Sequence, residues 1–259
     1  MKRSSLPVLT GIKIVFFDLD DTLCAYWEAS KKALSDTFEA HSLPGHTAAE
    51  MVTTWAEAFR DFVPRLKQTD WYASYLRKGE TTRTEQMRLM LARFGVEDEV
   101  LAQRLSDTYA AKRNENLALF GEAREVLEAL HKRFPLGLIT NGPADVQREE
   151  IQTLGIGHLF DHVYIEGEMG RGKPLPAVFE QIATEAGCRP EEILFVGNSY
   201  HHDMEPGIAA GWHTVWVRKA TDVAPSSTGS SPELKPAGGP TPDAEIEDLR
   251  DLLGLFGLT

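Results

Sequence analysis

Asp18, Asp20 and Asp21 end an apolar run, and a hydroxyl, Thr22, follows them. Leu19 alone separates Asp18 from Asp20, so a tight turn can hold both carboxylates near one point. Carboxylates that close repel unless a positive charge lies between them or one carries a proton. A hard divalent cation with oxygen ligands meets that need. An isolated Asp-x-Asp is also an ordinary strand-end turn or a solvated acidic cluster. What separates these readings is the rest of the chain.

Three later stretches, each at or after an apolar run, also carry polar residues. Ile139-Thr140-Asn141-Gly142 supplies a hydroxyl, an amide and a glycine at a strand-to-helix turn, which suits an oxyanion. Gly170-Arg171-Gly172-Lys173-Pro174 sets one ammonium in a loop before a helix start. Val196-Gly197-Asn198-Ser199-Tyr200-His201-His202-Asp203 offers two oxygen ligands, Asn198 and Asp203. Its adjacent histidines diverge and lack a third soft ligand, which argues against zinc. Singly, each has a plain structural explanation, since Thr and Asn are common caps and a lone Lys is usually surface charge.

The elements that must position these residues follow from hydrophobic periodicity. Ile12 to Phe17 is a near-continuous apolar run, as expected of a strand buried on both faces of a parallel sheet. Strands over Leu136–Thr140, Val163–Ile165, Ile193–Val196 and Thr214–Val217 alternate with helices. One helix carries Val126, Leu127 and Leu130, one starts near Pro174, and one ends near Gly211. That alternation predicts an α/β fold, a parallel sheet with helices on both faces. Chemistry in such sheets sits past the carboxyl ends of the strands.

Trp27 to about Asn116 reads instead as four amphipathic helices forming a compact bundle. Leu34 and Phe38 share a face with Trp27. Thr47-x-x-Glu50 is a capping box leading into Val52, Trp55, Phe59, Phe62 and Leu66. Thr82-x-x-Glu85 is read as a second box, leading into Met87, Met90, Leu91 and Phe94 with a stop at Gly95. Leu101, Leu105 and Tyr109 mark the last helix. The first strand has no other sheet to join, so the bundle is an insertion. The expected division is a core of residues 1–23 and 118–259 and an inserted helical domain of 24–117. The Pro-, Ser- and Gly-rich stretch 224–242 is expected to be a mobile loop, and Ile246, Leu249, Leu252 and Leu253 a final helix.

The chain has 259 residues, with 27 Lys and Arg against 39 Asp and Glu, for a net charge of −12. That charge disfavours nucleic acid as a partner and requires a local positive site for any anionic substrate. No apolar run approaches the ~20 residues that span a bilayer. Lys2 and Arg3 precede no secretory apolar segment, so a cytoplasmic protein without a membrane role is expected. Cys24 and Cys188 read as reduced small hydrophobes.

Taken together, Asp18-x-Asp20-x-Thr22, Thr140, Lys173-Pro174 and Gly197 to Asp203 resemble, in order and at strand ends, the four motifs of the haloacid dehalogenase-like hydrolase superfamily. Most of its members are phosphatases. The stretch Leu138 to Arg218 is most similar to the branch holding N-acylneuraminate-9-phosphatase and pyrimidine nucleotidases. The resemblance implies a Rossmann-like core with a helical cap and an Mg²⁺-dependent phosphatase acting on a small phosphorylated metabolite such as a sugar phosphate or nucleotide, as monomer or homodimer. It implies Asp18 as nucleophile through an aspartyl-phosphate, and Asp20 as general acid and then base. Thr140, with backbone amides near Leu19 and Asn141, would hold phosphoryl oxygens, and Lys173 would neutralise charge. Asp18, the Asp20 carbonyl, and Asp203 or Asn198 would bind Mg²⁺. The Thr69–Gly79 stretch, with its aromatics and cations, would be the cap's specificity loop. Asn198 departs from the family's usual Asp, and Leu175 stands where an acidic residue is common. The competing readings are a metal-independent 2-haloacid dehalogenase, whose members lack the second catalytic Asp, and a catalytically weak binding or regulatory member.

Overall fold

The computed structural model describes residues 8–258. Lys2, Arg3 and the start of the expected 1–23 segment lie outside them. β1 (Ile14–Phe17) is shorter than the Ile12–Phe17 run, and all four of its residues are buried. It is followed by α1 (Tyr26–Ala40), α2 (Ala48–Leu66), α3 (Trp71–Arg77), α4 (Gly79–Arg93) and α5 (Glu99–Asn116). The alternating part then runs α6 (Ala123–His131), β2 (Leu136–Thr140), α7 (Ala144–Leu154), β3 (His162–Ile165), α8 (Glu166–Met169), α9 (Pro176–Ala186) and β4 (Ile193–Gly197). It closes with α10 (Glu205–Ala209), β5 (His213–Val217), β6 (Ala244–Ile246) and α11 (Asp251–Leu255).

The strands form one parallel sheet in the order β3-β2-β1-β4-β5-β6. The chain winds outward from β1 through β2 and β3, then returns to the other side of β1 for β4, β5 and β6. β1 thus lies at the switch in winding direction, where parallel sheets open a crevice beyond their carboxyl ends. The strand period of two sends Val15 and Phe17 to one face, against Leu127 and Leu252, and Ile14 and Phe16 to the other, against Phe179 and Trp212. Helices therefore cover both faces. Gly137, beside Phe16 in the β1–β2 register, has no alternative. A Cβ there would lie 2.0 Å from the Phe16 ring, whose burial is worth about 1.5–3 kcal/mol.

Helices α1–α5 pack around an apolar cluster of their own, centred on Leu34, Phe38, Met51, Trp55, Met87, Leu91 and Leu105. The chain enters and leaves this bundle through adjacent segments. The Ala25 N–H donates to the Ala118 carbonyl at 3.1 Å and the Phe120 N–H to the Leu23 carbonyl at 3.0 Å. The result is a short two-stranded stem.

Several expectations are corrected here. The bundle holds five helices, because 71–77 of the expected loop forms α3. That segment contains no Gly or Pro, and Trp71 packs edge-on to Phe62 at 6.2 Å. Thr47 and Glu50 form their capping box, but Thr82 and Glu85 do not. α4 starts earlier, at Gly79, where the Asp145 carboxylate accepts the Gly79 N–H at 3.0 Å. Thr82 donates to the Gly79 carbonyl and Glu85 pairs with Arg88. A Cβ on Gly79 would lie 2.5 Å from Val146, so the glycine lets α4 begin directly against α7. Gly95, at φ +72°, ends the helix as expected. At the other end of the chain, Ile246 belongs to a sixth strand, with Ala244 and Ile246 buried and Glu245 exposed at a period of two. Residues 224–242 form neither helix nor strand, yet they make contacts. The Glu233 carboxylate accepts the backbone N–H groups of Tyr200 and His201, and the Pro240 carbonyl accepts the Tyr200 hydroxyl.

Candidate active site

The sheet brings the polar strand ends to one place. Asp18 continues the ladder, its N–H donating to the Val196 carbonyl at 2.9 Å. The chain then turns off the sheet at Asp21, whose φ of +59° is a left-handed conformation that non-glycine residues seldom adopt. The Asp21 carboxylate accepts the Trp27 N–H at 3.1 Å, which ties the turn to α1. Burial first, and then the charge of Asp222, push the Asp21 carboxyl up to about 8.

Lys173 is buried, and its Nζ donates to Asp18 Oδ1 at 2.8 Å and to Asp203 Oδ1 at 2.6 Å. Burial works against its charge, but the carboxylates of Asp18 and Asp203 outweigh that and raise its pKa. Asp203 receives the Ser199 N–H on its other oxygen at 3.0 Å, so both its oxygens are bonded. Burial and the Asp18 charge push Asp203 upward, against the pull of Lys173. A Cβ at Gly197 would lie 2.4 Å from Asp203 Oδ2, so a bare glycine leaves room for this carboxylate. Asn141 clamps the lysine loop from both sides. Its Oδ1 accepts the Lys173 N–H at 2.9 Å, and its Nδ2 donates to the Lys173 carbonyl at 2.7 Å.

Thr140 is buried and donates to Gln147 Oε1 at 2.5 Å. Gln147 Nε2 in turn faces Asp20 Oδ2 at 3.2 Å and Glu150 Oε2 at 2.7 Å. Glu150 lies 3.4 Å from Arg113 of α5, a buried ion pair between the helical insertion and α7. Burial first, then the charges of Glu150 and Asp18, hold the Asp20 carboxyl well above the usual carboxylate range. Asp20 therefore favours its protonated form, whereas Asp18 faces the Lys173 ammonium at 2.8 Å. Gln147, Glu150 and Arg113 were not anticipated from the sequence. Gln147 and Glu150 lie one turn apart on the helix after Thr140, a weak signal; Arg113 had none.

Among the described residues no three His, Cys, Asp or Glu side chains converge as a metal site. A cation here would need a mixed set of oxygens, and the structure contains one. The Thr22 hydroxyl lies 2.8 Å from Asp18 Oδ2 and 3.2 Å from Asn198 Oδ1, so a carboxylate oxygen and an amide oxygen converge on one point. Such hard oxygens suit Mg²⁺. Asn198 Nδ2 donates to Asp222 Oδ2 at 2.9 Å, and burial pushes the Asp222 carboxyl up to about 6.

These groups line a cavity of about 960 Å³ between the sheet edge and the helical insertion, which contributes Trp55, Phe59, Tyr75, Arg83 and Tyr109. Of the Thr69–Gly79 stretch only Tyr75 and Gly79 reach it. Tyr72 instead donates to Glu166 at 2.8 Å, and Arg77 and Lys78 are exposed.

With that geometry, residues 12–211 match the model of the haloacid dehalogenase-like hydrolases, and the chain belongs to that family of hydrolases. It is 30% identical over 246 residues to phosphoserine phosphatase of Thermus thermophilus, covering 86% of this chain and 95% of that protein. It is 26% identical over 223 residues to N-acylneuraminate-9-phosphatase of Rattus norvegicus, covering 85% of this chain and 88% of the relative. Among solved structures, a 2-haloacid dehalogenase from Pseudomonas syringae superposes with a TM-score of 0.63 at 27% identity, over 95% of this chain and 98% of that one. No helix of the described residues is long and apolar enough to cross a membrane.

Proposed function

We propose that this hydrolase is an Mg²⁺-dependent phosphatase that cleaves a small phosphomonoester through an aspartyl-phosphate on Asp18. The observation that carries the reading is geometric: Asp18 lies 2.8 Å from the Lys173 ammonium, and Asp20, whose carboxyl is pushed upward by desolvation, is held by Gln147 at 3.2 Å. An Asp18 oxygen attacks phosphorus, the bond to the leaving oxygen breaks, and Asp20 gives that oxygen its proton. Asp20, now a carboxylate, takes a proton from the water that hydrolyses the acyl phosphate, and the starting state returns. Gln147 aims Asp20 and links it to Thr140, and Asn141 fixes Lys173 where its charge meets the phosphoryl oxygens. Asp18, the Asp20 carbonyl and Asn198 would hold Mg²⁺, which supplies charge neutralisation for the phosphoryl group. With both its oxygens bonded, Asp203 has the role of holding Lys173.

Residues 24–117 act in this reading as a cap on the core formed by 1–23 and 118–259, excluding water and selecting the leaving group. The Pseudomonas syringae likeness favours a second reading, a 2-haloacid dehalogenase. A departing halide needs no proton, however, and Asp20 then has no task. The test is release of nitrophenol from p-nitrophenyl phosphate and of chloride from 2-chloropropionate, each with and without Mg²⁺. Mg²⁺-dependent nitrophenol release that is lost in Asp18→Asn supports the phosphatase. Chloride release alone establishes the dehalogenase.

A further inference from the structure

The wall of the cavity contributed by the helical insertion carries a cation that the mechanism does not use. Arg83 of α4 lines the cavity, and its Nε donates to the Ser106 carbonyl at 3.2 Å and the Ser106 hydroxyl at 3.1 Å. That bond fixes the plane of the guanidinium. Among the described residues no carboxylate lies within ion-pair distance of it, and neither Nη nitrogen is a buried atom lacking a partner. The Nη nitrogens thus belong to a half-buried side chain that lines the cavity, and only its Nε is bonded. Arg113, close by, differs in that it is buried against Glu150 and stacks on Tyr26 at 5.7 Å. Its positive charge, after burial, is what lowers the Arg83 pKa. Glu150 pairs with Arg113 and not with Arg83, which leaves the Arg83 guanidinium without a carboxylate in contact. In a chain of net charge −12, such a charge facing a cavity attracts anions locally.

We infer that Arg83 is the subsite for a carboxylate on the substrate, placed across the cavity from the phosphoryl group, an inference that rests on the phosphatase reading. A guanidinium edge matches a planar carboxylate with two parallel hydrogen bonds. One guanidinium balances one negative charge, which favours a carboxylate over a second phosphate dianion. The Ser30 and Tyr109 hydroxyls, bonded to each other at 2.8 Å, also line the cavity and can take up substrate hydroxyl or amino groups. Aromatic side chains, Trp55 and Phe59 among them, cover the apolar part of the chain between the two charged ends. The substrate class is a phosphorylated hydroxy or amino acid. Arg77 and Lys78, the cations of the expected specificity loop, do not line the cavity.

The test is calorimetric binding of ω-phosphonocarboxylates against alkylphosphonates of the same chain length, over a series of lengths, with Mg²⁺ present. Phosphonates are not hydrolysed, so binding is read independently of turnover. For wild type, at one or more lengths, the carboxylate probe binds roughly 10- to 100-fold tighter, as a charge-assisted bidentate contact gives. In Arg83→Gln that preference disappears, and in Arg83→Lys, which keeps the charge without the fork, a fraction remains. Thermal unfolding confirms that each variant is folded. Equal affinities across the series, or a preference that survives in Arg83→Gln or is removed by Arg60→Gln instead, overturns the inference. So does an Arg83-dependent preference for α,ω-bisphosphonates over the carboxylates. Nitrophenol release by the wild type is measured alongside. Its absence counts against the phosphatase reading, whereas its presence with no carboxylate preference counts against Arg83 alone.

Discussion

Replacing Lys173 by methionine tests the electrostatic centre of the site without reference to turnover. The side chain is 2% exposed and bridges two carboxylates at 2.8 and 2.6 Å, one of them, Asp203, 1% exposed. Methionine has nearly the same length and leaves Asp18 and Asp203 facing each other without a cation. Removing one partner from a buried pair costs about 3–5 kcal/mol, because the remaining charge keeps its desolvation penalty. For a chain of this size each kcal/mol lowers Tm by about 2–4 °C, which gives a fall of about 6–20 °C. The carboxylates can escape part of that cost by taking up protons. Burial already pushes Asp203 upward with the lysine present, and its loss pushes further. The destabilisation is then smaller at pH 5, where Asp203 is neutral, than at pH 8, where it is charged. Adding Asp203→Asn to Lys173→Met recovers part of the loss. Calorimetric unfolding in EDTA at both pH values, for wild type, the two single variants and the double variant, measures the coupling. A Lys173→Met protein that unfolds within 2–3 °C of wild type at pH 8, against the ~6 °C minimum expected, refutes the buried-ion-pair account.

Three further outcomes are expected. Asp20→Asn retains turnover of aryl phosphates but loses roughly 10²–10⁴-fold on alkyl phosphates, whose leaving oxygen needs a proton; equal losses in paired kinetics would reduce Asp20 to a structural group. Asn198→Asp lowers the Mg²⁺ concentration for half-maximal turnover several-fold. It also lowers the metal-free Tm, since it sets a carboxylate against Asp222, now 2.9 Å from the amide; an unmoved Mg²⁺ midpoint removes Asn198 from the ligand set. Glu192, bonded to Lys13 and to the Arg189 N–H, is held down to about 2 from 4.5, with the Lys13 contact the largest cause. The lowered pKa means stability present above 4.5 and lost as pH falls toward 2. Glu192→Gln therefore lowers Tm at pH 7, and the gap closes by about pH 2; a gap independent of pH points to packing instead.

The sequence shows most clearly the features that rest on local pattern. β2 matches the expected strand residue for residue, and β4 and β5 differ by one residue at an end, because an apolar run bounded by turn residues is a short-range signal. Asp18 and Thr140 stand out in the sequence because each stands at a strand end, whereas Lys173 lies in the loop after α8 and Asp203 in the turn that follows β4. What could not be read are contacts made at long range. Gln147 reaches Asp20 across 127 residues of sequence, and nothing near either residue encodes the pairing. Asp222 meets Asn198 only because β5 lies beside β4. Arg83 reads in sequence as one more charge at the start of an amphipathic helix, and nothing local marks it as facing a cavity. α3 is not legible in the sequence, because its aromatics and cations resemble a binding loop, whereas tertiary contacts to Phe62 and Glu166 hold it as a helix.

The stem at the base of the helical insertion bears on the order of folding. Val15 pairs with Leu136, so 121 residues (136 − 15) must be looped out before the central strand finds its neighbour. If the five helices collapse first, the stem brings residues 24 and 119 together, and the effective loop shortens to about 26 residues. On a logarithmic closure law that change is worth about 1.4 kcal/mol, or roughly tenfold in the rate of pairing. A small residue at Leu105, in the insertion's apolar centre, should therefore slow refolding of the whole chain in stopped-flow experiments. A refolding rate indifferent to Leu105→Ala would mean that the sheet assembles without waiting for the helices.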